Sequence, residues 1–187
     1  LAAIALPEVA TEKEDLTGTV PLSPIQQAFF AQGSPAPEQF TQTVLLDVNE
    51  RLDFEALSQA VTVLVAHHDS LRLSYTKEGD RWTQRYQQVA QDGQVSALDL
   101  SAEMNSAQRV DAEISLLQKQ LNLATGDLVR GVLFELGARQ QLGMVIHHLA
   151  VDAVSWQTLL KDLETVYRQV RAGEDILLPP KTSSFKA

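Results

Sequence analysis

The 187-residue sequence contains no cysteine. That excludes a disulfide framework, a thiolate nucleophile and any zinc–thiolate centre. A reducing compartment is compatible with it, and we expect a cytoplasmic protein. A basic cluster is also missing. Fifteen Lys and Arg stand against 24 Asp and Glu, a net charge of −9, so neither the electrostatic footprint of a nucleic-acid binder nor a stripe for anionic membranes is present. No run approaches the roughly 18 apolar residues of a membrane helix. The opening LAAIALPEVATEKEDLTG has neither the positive start nor the long apolar core of a secretory signal. What remains is 44% hydrophobic and 21% charged, enough apolar material for a sizeable core and too much for a disordered chain. The chain begins at Leu1 rather than Met and stops soon after Pro179-Pro180. Both ends look cut, and a piece of a longer polypeptide is the expectation.

Residues 1–19 are acidic and aperiodic and read as an arm or linker; residues 20–187 read as one folded lobe. Ser23 is placed to cap a helix with Pro24 at its first position, and a loop follows over 33–37. FTQTVLLDV, 40–48, has the alternation of a strand. Asp53 caps a helix with Phe54, Leu57, Val61, Leu64 and Val65 on one face, ending near His67-His68-Asp69. Leu71, Leu73 and Tyr75 alternate with Arg72 and Ser74, and shorter strands are predicted over 82–89 and 95–100. An amphipathic helix over 106–121 precedes two strands, 129–136 and 142–146, and a last helix covers 154–170. There is no internal repeat. This interleaving predicts an α+β fold, a mixed sheet with helices packed on it.

The four histidines form two adjacent pairs. His67-His68 sits at a helix exit, where capping of the carbonyl end and partial burial explain it. His147-His148 ends a strand, so the two rings point to opposite faces, one into the core and one towards a cleft. Adjacent strand residues converge poorly on a metal, and no metal site is expected. Asp152 lies in the turn before the last helix, where it could orient the histidine, cap the helix or pair with an arginine.

The segment HHLAVDAVSW resembles the HHxxxDG motif of the condensation-domain superfamily of non-ribosomal peptide synthetases, relatives of chloramphenicol acetyltransferase. PLSPIQQAFF, AHHDSLRLSY, GDLVRGVLFEL and LLPPKTSSFKA resemble further family segments, in the family's order, over about residues 18–187. Val154-Ser155-Trp156 after the Asp, together with PIQQAFF and EQFTQTVLL, is most similar to epimerization domains; a condensation domain forming a peptide bond and an inactive carrier-docking relative stay open. Ala153 stands where the family has glycine, a residue used for positive φ or close backbone approach.

The resemblance implies a chloramphenicol acetyltransferase-like lobe, with His148 as the acid/base residue. His147, Asp152, Arg72, Ser155 and Trp156 are then supporting residues, Asp152 in a buried ion pair with Arg72. The family's partner glutamate belongs to a second lobe beyond Ala187. The lobe binds no cofactor itself, and the substrate arrives on the 4'-phosphopantetheine arm of a peptidyl carrier protein domain. The second lobe and neighbouring synthetase modules are the other implied partners. Two acid/base groups flanking the α-carbon, or one group plus mobile water, would remove a proton and return it to the opposite face, and the N-terminus of the last helix could stabilise the enolate.

Overall fold

The computed structural model describes residues 18–88 and 94–180. Strand β1 spans Gly18–Val20 and helix α1 Pro24–Ala31. Strand β2 (Thr41–Asp47) leads to α2 (Phe54–His67), and β3 (Leu73–Glu78), β4 (Arg81–Tyr86) and β5 (Val95–Asp99) follow. Helix α3 (Ser106–Gln120) precedes the hairpin β6 (Val129–Glu135) and β7 (Gln140–His147), and α4 (Ala153–Ala172) comes last.

The helix starts follow local chemistry. Ser23 accepts from the Gln26 N–H while the Gln26 amide accepts from the Ser23 N–H, a reciprocal box ahead of Pro24. Asp53 caps α2 at Ala56 and Asp152 caps α4 at Ser155. Helix α4 starts one residue earlier and runs two longer than its periodicity predicts, stopping where Gly173 turns left-handed at φ 66°.

Strands β2, β7, β6 and β5 form a mixed sheet in that order, with β5 parallel to β6 and the other neighbours antiparallel. Both faces are covered. Leu133, Leu142, Met144 and Ile146 pack in one core with Leu57, Val61 and Leu64 of α2 and Leu159, Leu163 and Val166 of α4. Val132, Phe134 and Val145 point the other way, to Val110 and Leu117 of α3, as successive strand residues must. Fully burying each such side chain is worth about 1.5–3 kcal/mol.

Three features differ from expectation. Strands β1, β4 and β3 form a separate three-stranded antiparallel sheet. Gly18 and Thr19, read as the end of an arm, belong to β1 and pair with Tyr86 and Arg85. Arg72 does not lie on a strand: Asp69–Arg72 is a 3-10 turn, and Leu73, Ser74 and Tyr75 are all buried rather than alternating. Helix α1 covers one side of β3, where Gln26 reaches the Tyr75 hydroxyl at 3.0 Å. The 122–128 turn covers the other, with the Gly126 Cα side facing Leu73 and Ser74. The arm proper, Val89 and the KTSSFKA segment lie outside the described residues.

Candidate active site

The β2–β7 ladder runs to Thr41 opposite His147 and is extended by the His148 N–H donating to Phe40 O at 2.8 Å. The two histidines therefore leave the sheet edge in opposite directions. His147 is 0% exposed. Its Nε2 lies 2.9 Å from the Pro37 carbonyl and its Nδ1 accepts the Leu149 N–H at 3.1 Å, which makes it a neutral Nε2–H imidazole. Burial holds its pKa below the ordinary 6.5, against the pull of the Pro37 carbonyl and the Glu38 charge.

His148 is half-buried and lines a cleft of about 1580 Å³ together with Phe29, Phe40, His68, Ser155 and Asp162. Its ring stacks on Phe40 with centroids 4.6 Å apart and planes 15° from parallel. Nδ1 sits 2.9 Å from the Val151 carbonyl, which only accepts, so Nδ1 carries the proton. Nε2 lies 2.9 Å from the side-chain nitrogen of Gln42.

The expected Arg72–Asp152 ion pair is not formed. Asp152 is exposed and accepts from the Ser155 N–H at 2.7 Å and the Ser155 hydroxyl at 2.6 Å. These two bonds, hydroxyl first, hold its carboxyl below the usual range. Arg72 pairs instead with Asp69 and donates to Gln87 O at 2.8 Å. The reason is topological: Arg72 precedes a strand of the small sheet, whereas Asp152 follows a strand of the large one. The Asp152 cap also occupies the Ser155 N–H, one of the α4 donors expected to serve an enolate. Ala153 sits in the exposed first turn of α4 and, like every described non-glycine residue, has no positive φ. Its backbone needs no glycine.

Trp156 is buried, and its indole N–H donates to the side-chain oxygen of Gln42 at 2.8 Å. Gln42 is the site residue that sequence reasoning misses; strand alternation marks it only as a polar position. The other histidine pair reaches further than a helix cap. His68 Nε2 lies 2.9 Å from Asp162 Oδ2 and ties the end of α2 to α4. One ligand atom each of His67, His68 and Asp162 falls within 4.8 Å of the others, a shape a cation could use. The His68–Asp162 bond already accounts for the contact between these two.

A mixed sheet covered by helices, with one histidine in its core and the next in a cleft, is the chloramphenicol acetyltransferase-like fold shared with the structural neighbours below. The condensation-domain family model matches residues 16–187, and the chain belongs to that family. It is 46% identical to a linear gramicidin synthase of Brevibacillus parabrevis over 96% of its own length, and 34% identical to tyrocidine synthase 1 of the same organism over 95%. It spans 4% and 17% of those two proteins. Among solved structures, the epimerization domain from the third module of tyrocidine synthetase B matches at TM-score 0.86 and 34% identity, covering 91% of this chain and 38% of that one. The first condensation domain of the calcium-dependent antibiotic synthetase shares the fold at TM-score 0.75 and 21% identity, over 87% of this chain and 40% of that one. Among the described residues no helix is long and apolar enough to cross a membrane.

Proposed function

We propose that the chain is the first lobe of a non-ribosomal peptide synthetase epimerization domain. In the intact domain it converts the L residue of an aminoacyl or peptidyl thioester to the D form. The observation that carries the reading is His148 in the cleft wall, stacked on Phe40 with its proton held at Nδ1 by Val151. That leaves Nε2 as the atom able to take a proton. Loss of the α-proton sends the C–H electron pair into the enolate of the thioester, and reprotonation on the opposite face gives the D residue. The opposing group is a glutamate of a second lobe, as in the family. A peptidyl carrier protein domain brings the thioester on its 4'-phosphopantetheine arm, and neighbouring modules supply and consume it.

Epimerization is favoured over amide formation by the higher identity and TM-score to an epimerization domain, 34% and 0.86 against 21% and 0.75. The test loads the intact domain's carrier with an L-aminoacyl or L-peptidyl thioester, without an acceptor carrier, and resolves the hydrolysed product by chirality. A mixture of L and D is expected, and His148→Ala should abolish it together with α-proton exchange into deuterated water. Product that stays entirely L, with an amide appearing only when an acceptor is added, would replace epimerization by condensation. Neither product would leave a carrier-docking role.

A further inference from the structure

Gln42 of β2 and two side chains more than 100 residues further along, His148 and Trp156, form one directed hydrogen-bond relay. The Trp156 indole can only donate, so the atom of Gln42 it meets at 2.8 Å must be the amide oxygen. The amide nitrogen of Gln42 is then the atom 2.9 Å from His148 Nε2. An amide nitrogen only donates, so Nε2 must accept there. Independently, the Val151 carbonyl requires the proton on Nδ1. Both ends of the relay thus require the same tautomer. Flipping the Gln42 amide would face an amide N–H against the indole N–H, and protonating Nε2 would face two donors against each other.

We infer that Gln42 is a positioning residue: it fixes His148 as the neutral Nδ1–H tautomer and occupies the Nε2 lone pair until substrate displaces it. The imidazole has one in-plane lone pair at Nε2, and the Gln42 N–H fills it in the resting lobe. Proton abstraction therefore requires the Gln42 amide to move off Nε2, and the Trp156 indole N–H fixes the orientation in which the amide returns to reform the bond. The inference rests on His148 as the acid/base residue, but its structural content does not depend on turnover.

Gln42→Glu is the discriminating change. The introduced carboxylate still accepts from Trp156, but its second oxygen meets Nε2 as an acceptor and requires a proton there. His148 then lies between two acceptors, the Val151 carbonyl and that carboxylate, and is held as imidazolium. The experiment records histidine ¹⁵N chemical shifts of the intact domain at pH 8, with His148 assigned by His148→Asn. The native domain should show a protonated Nδ1 and an unprotonated Nε2; the Gln42→Glu domain should show both protonated and at least tenfold slower α-proton exchange. A native domain with Nε2 protonated, or a folded Gln42→Glu domain with native shifts, would overturn the inference. Should Gln42→Glu not fold, Gln42→Met fills the same volume without a donor. Its Nε2 resonance should move to that of an acceptor with no protein donor, and an unmoved resonance would overturn the inference equally. Loss of exchange in His148→Ala tests the catalytic role separately, so the failure of one reading is distinguishable from failure of the other.

Discussion

Asp152 is where a buried ion pair and an exposed helix cap make different numerical demands. Its contacts are the N–H and hydroxyl of Ser155, so Asp152→Ala removes an N-cap, a loss of about 1 kcal/mol within a range of about 0.5–2. For a chain of this length that lowers Tm by roughly 2–4 °C. Asp152→Asn should be nearly silent at neutral pH, because asparagine caps as well as aspartate. A buried ion pair with Arg72 would behave otherwise: either substitution would strand the guanidinium at roughly 3–5 kcal/mol. The assay is urea unfolding with double-mutant cycles. Arg72 and Asp152 should couple by less than about 0.5 kcal/mol, as independent sites do, whereas Arg72 and Asp69 should couple by about 1–3 kcal/mol. Acid gives a second reading. The folded carboxyl is held below its ordinary 3.8, so its contribution is present above that value and lost as pH falls through the lowered one. Asp152→Asn should remove that part of the acid slope. A cost above 3 kcal/mol for Asp152→Asn, which is the range of a stranded buried charge, or strong Arg72–Asp152 coupling, would refute the cap.

His147 is buried neutral with its pKa below 6.5. The unfolded chain therefore binds a proton first as pH drops, and stability should fall from pH 6.5 downward; His147→Gln should flatten that slope in unfolding titrations. A Cβ at Gly143 would meet Ile114 Cδ1 at 2.6 Å and Val132 Cγ1 at 3.2 Å. Gly143→Ala should cost about 1–3 kcal/mol by overpacking, with Ile114→Val recovering part of it in thermal melts. Tyr75 is fully buried and its hydroxyl accepts from Gln26 at 3.0 Å. Tyr75→Phe leaves that amide donor without its acceptor, a loss of about 1–3 kcal/mol in urea.

The helix starts are legible in the sequence because their chemistry is local: Ser23 with Pro24, Asp53 and the turn at Asp152 each sit within three residues of the N–H groups they cap. The β6–β7 hairpin and its paired histidines are legible for the same reason, since alternation alone sends His147 and His148 to opposite faces. The partner of Arg72 is not. Periodicity names the face of a strand but not the sheet it joins, and the small sheet depends on β1, where Gly18 pairs with a residue as distant in sequence as Tyr86. Gln42 is hidden by distance as well. Its two partners lie 106 and 114 residues further along the chain, and although EQFTQTVLL carries the family resemblance, its alternation assigns this glutamine neither partner.

The same turn gives the two neighbouring histidines opposite protonation patterns, and the backbone does so. His147 meets an N–H, from Leu149, at Nδ1 and a carbonyl, from Pro37, at Nε2. His148 meets a carbonyl, from Val151, at Nδ1 and a donor at Nε2 from Gln42. The first ring is locked, with Nε2 spent on the loop that precedes β2 and Nδ1 on the turn that follows β7. The second presents its lone pair to a side chain, the one partner of the four that can rotate away. Neither imidazole can stand in for the other, because exchanging their tautomers would set donor against donor at Leu149 and acceptor against acceptor at Val151. The order of the pair is therefore a consequence of where the ladder ends: one residue fewer in register would bury His148 and leave His147 in the cleft.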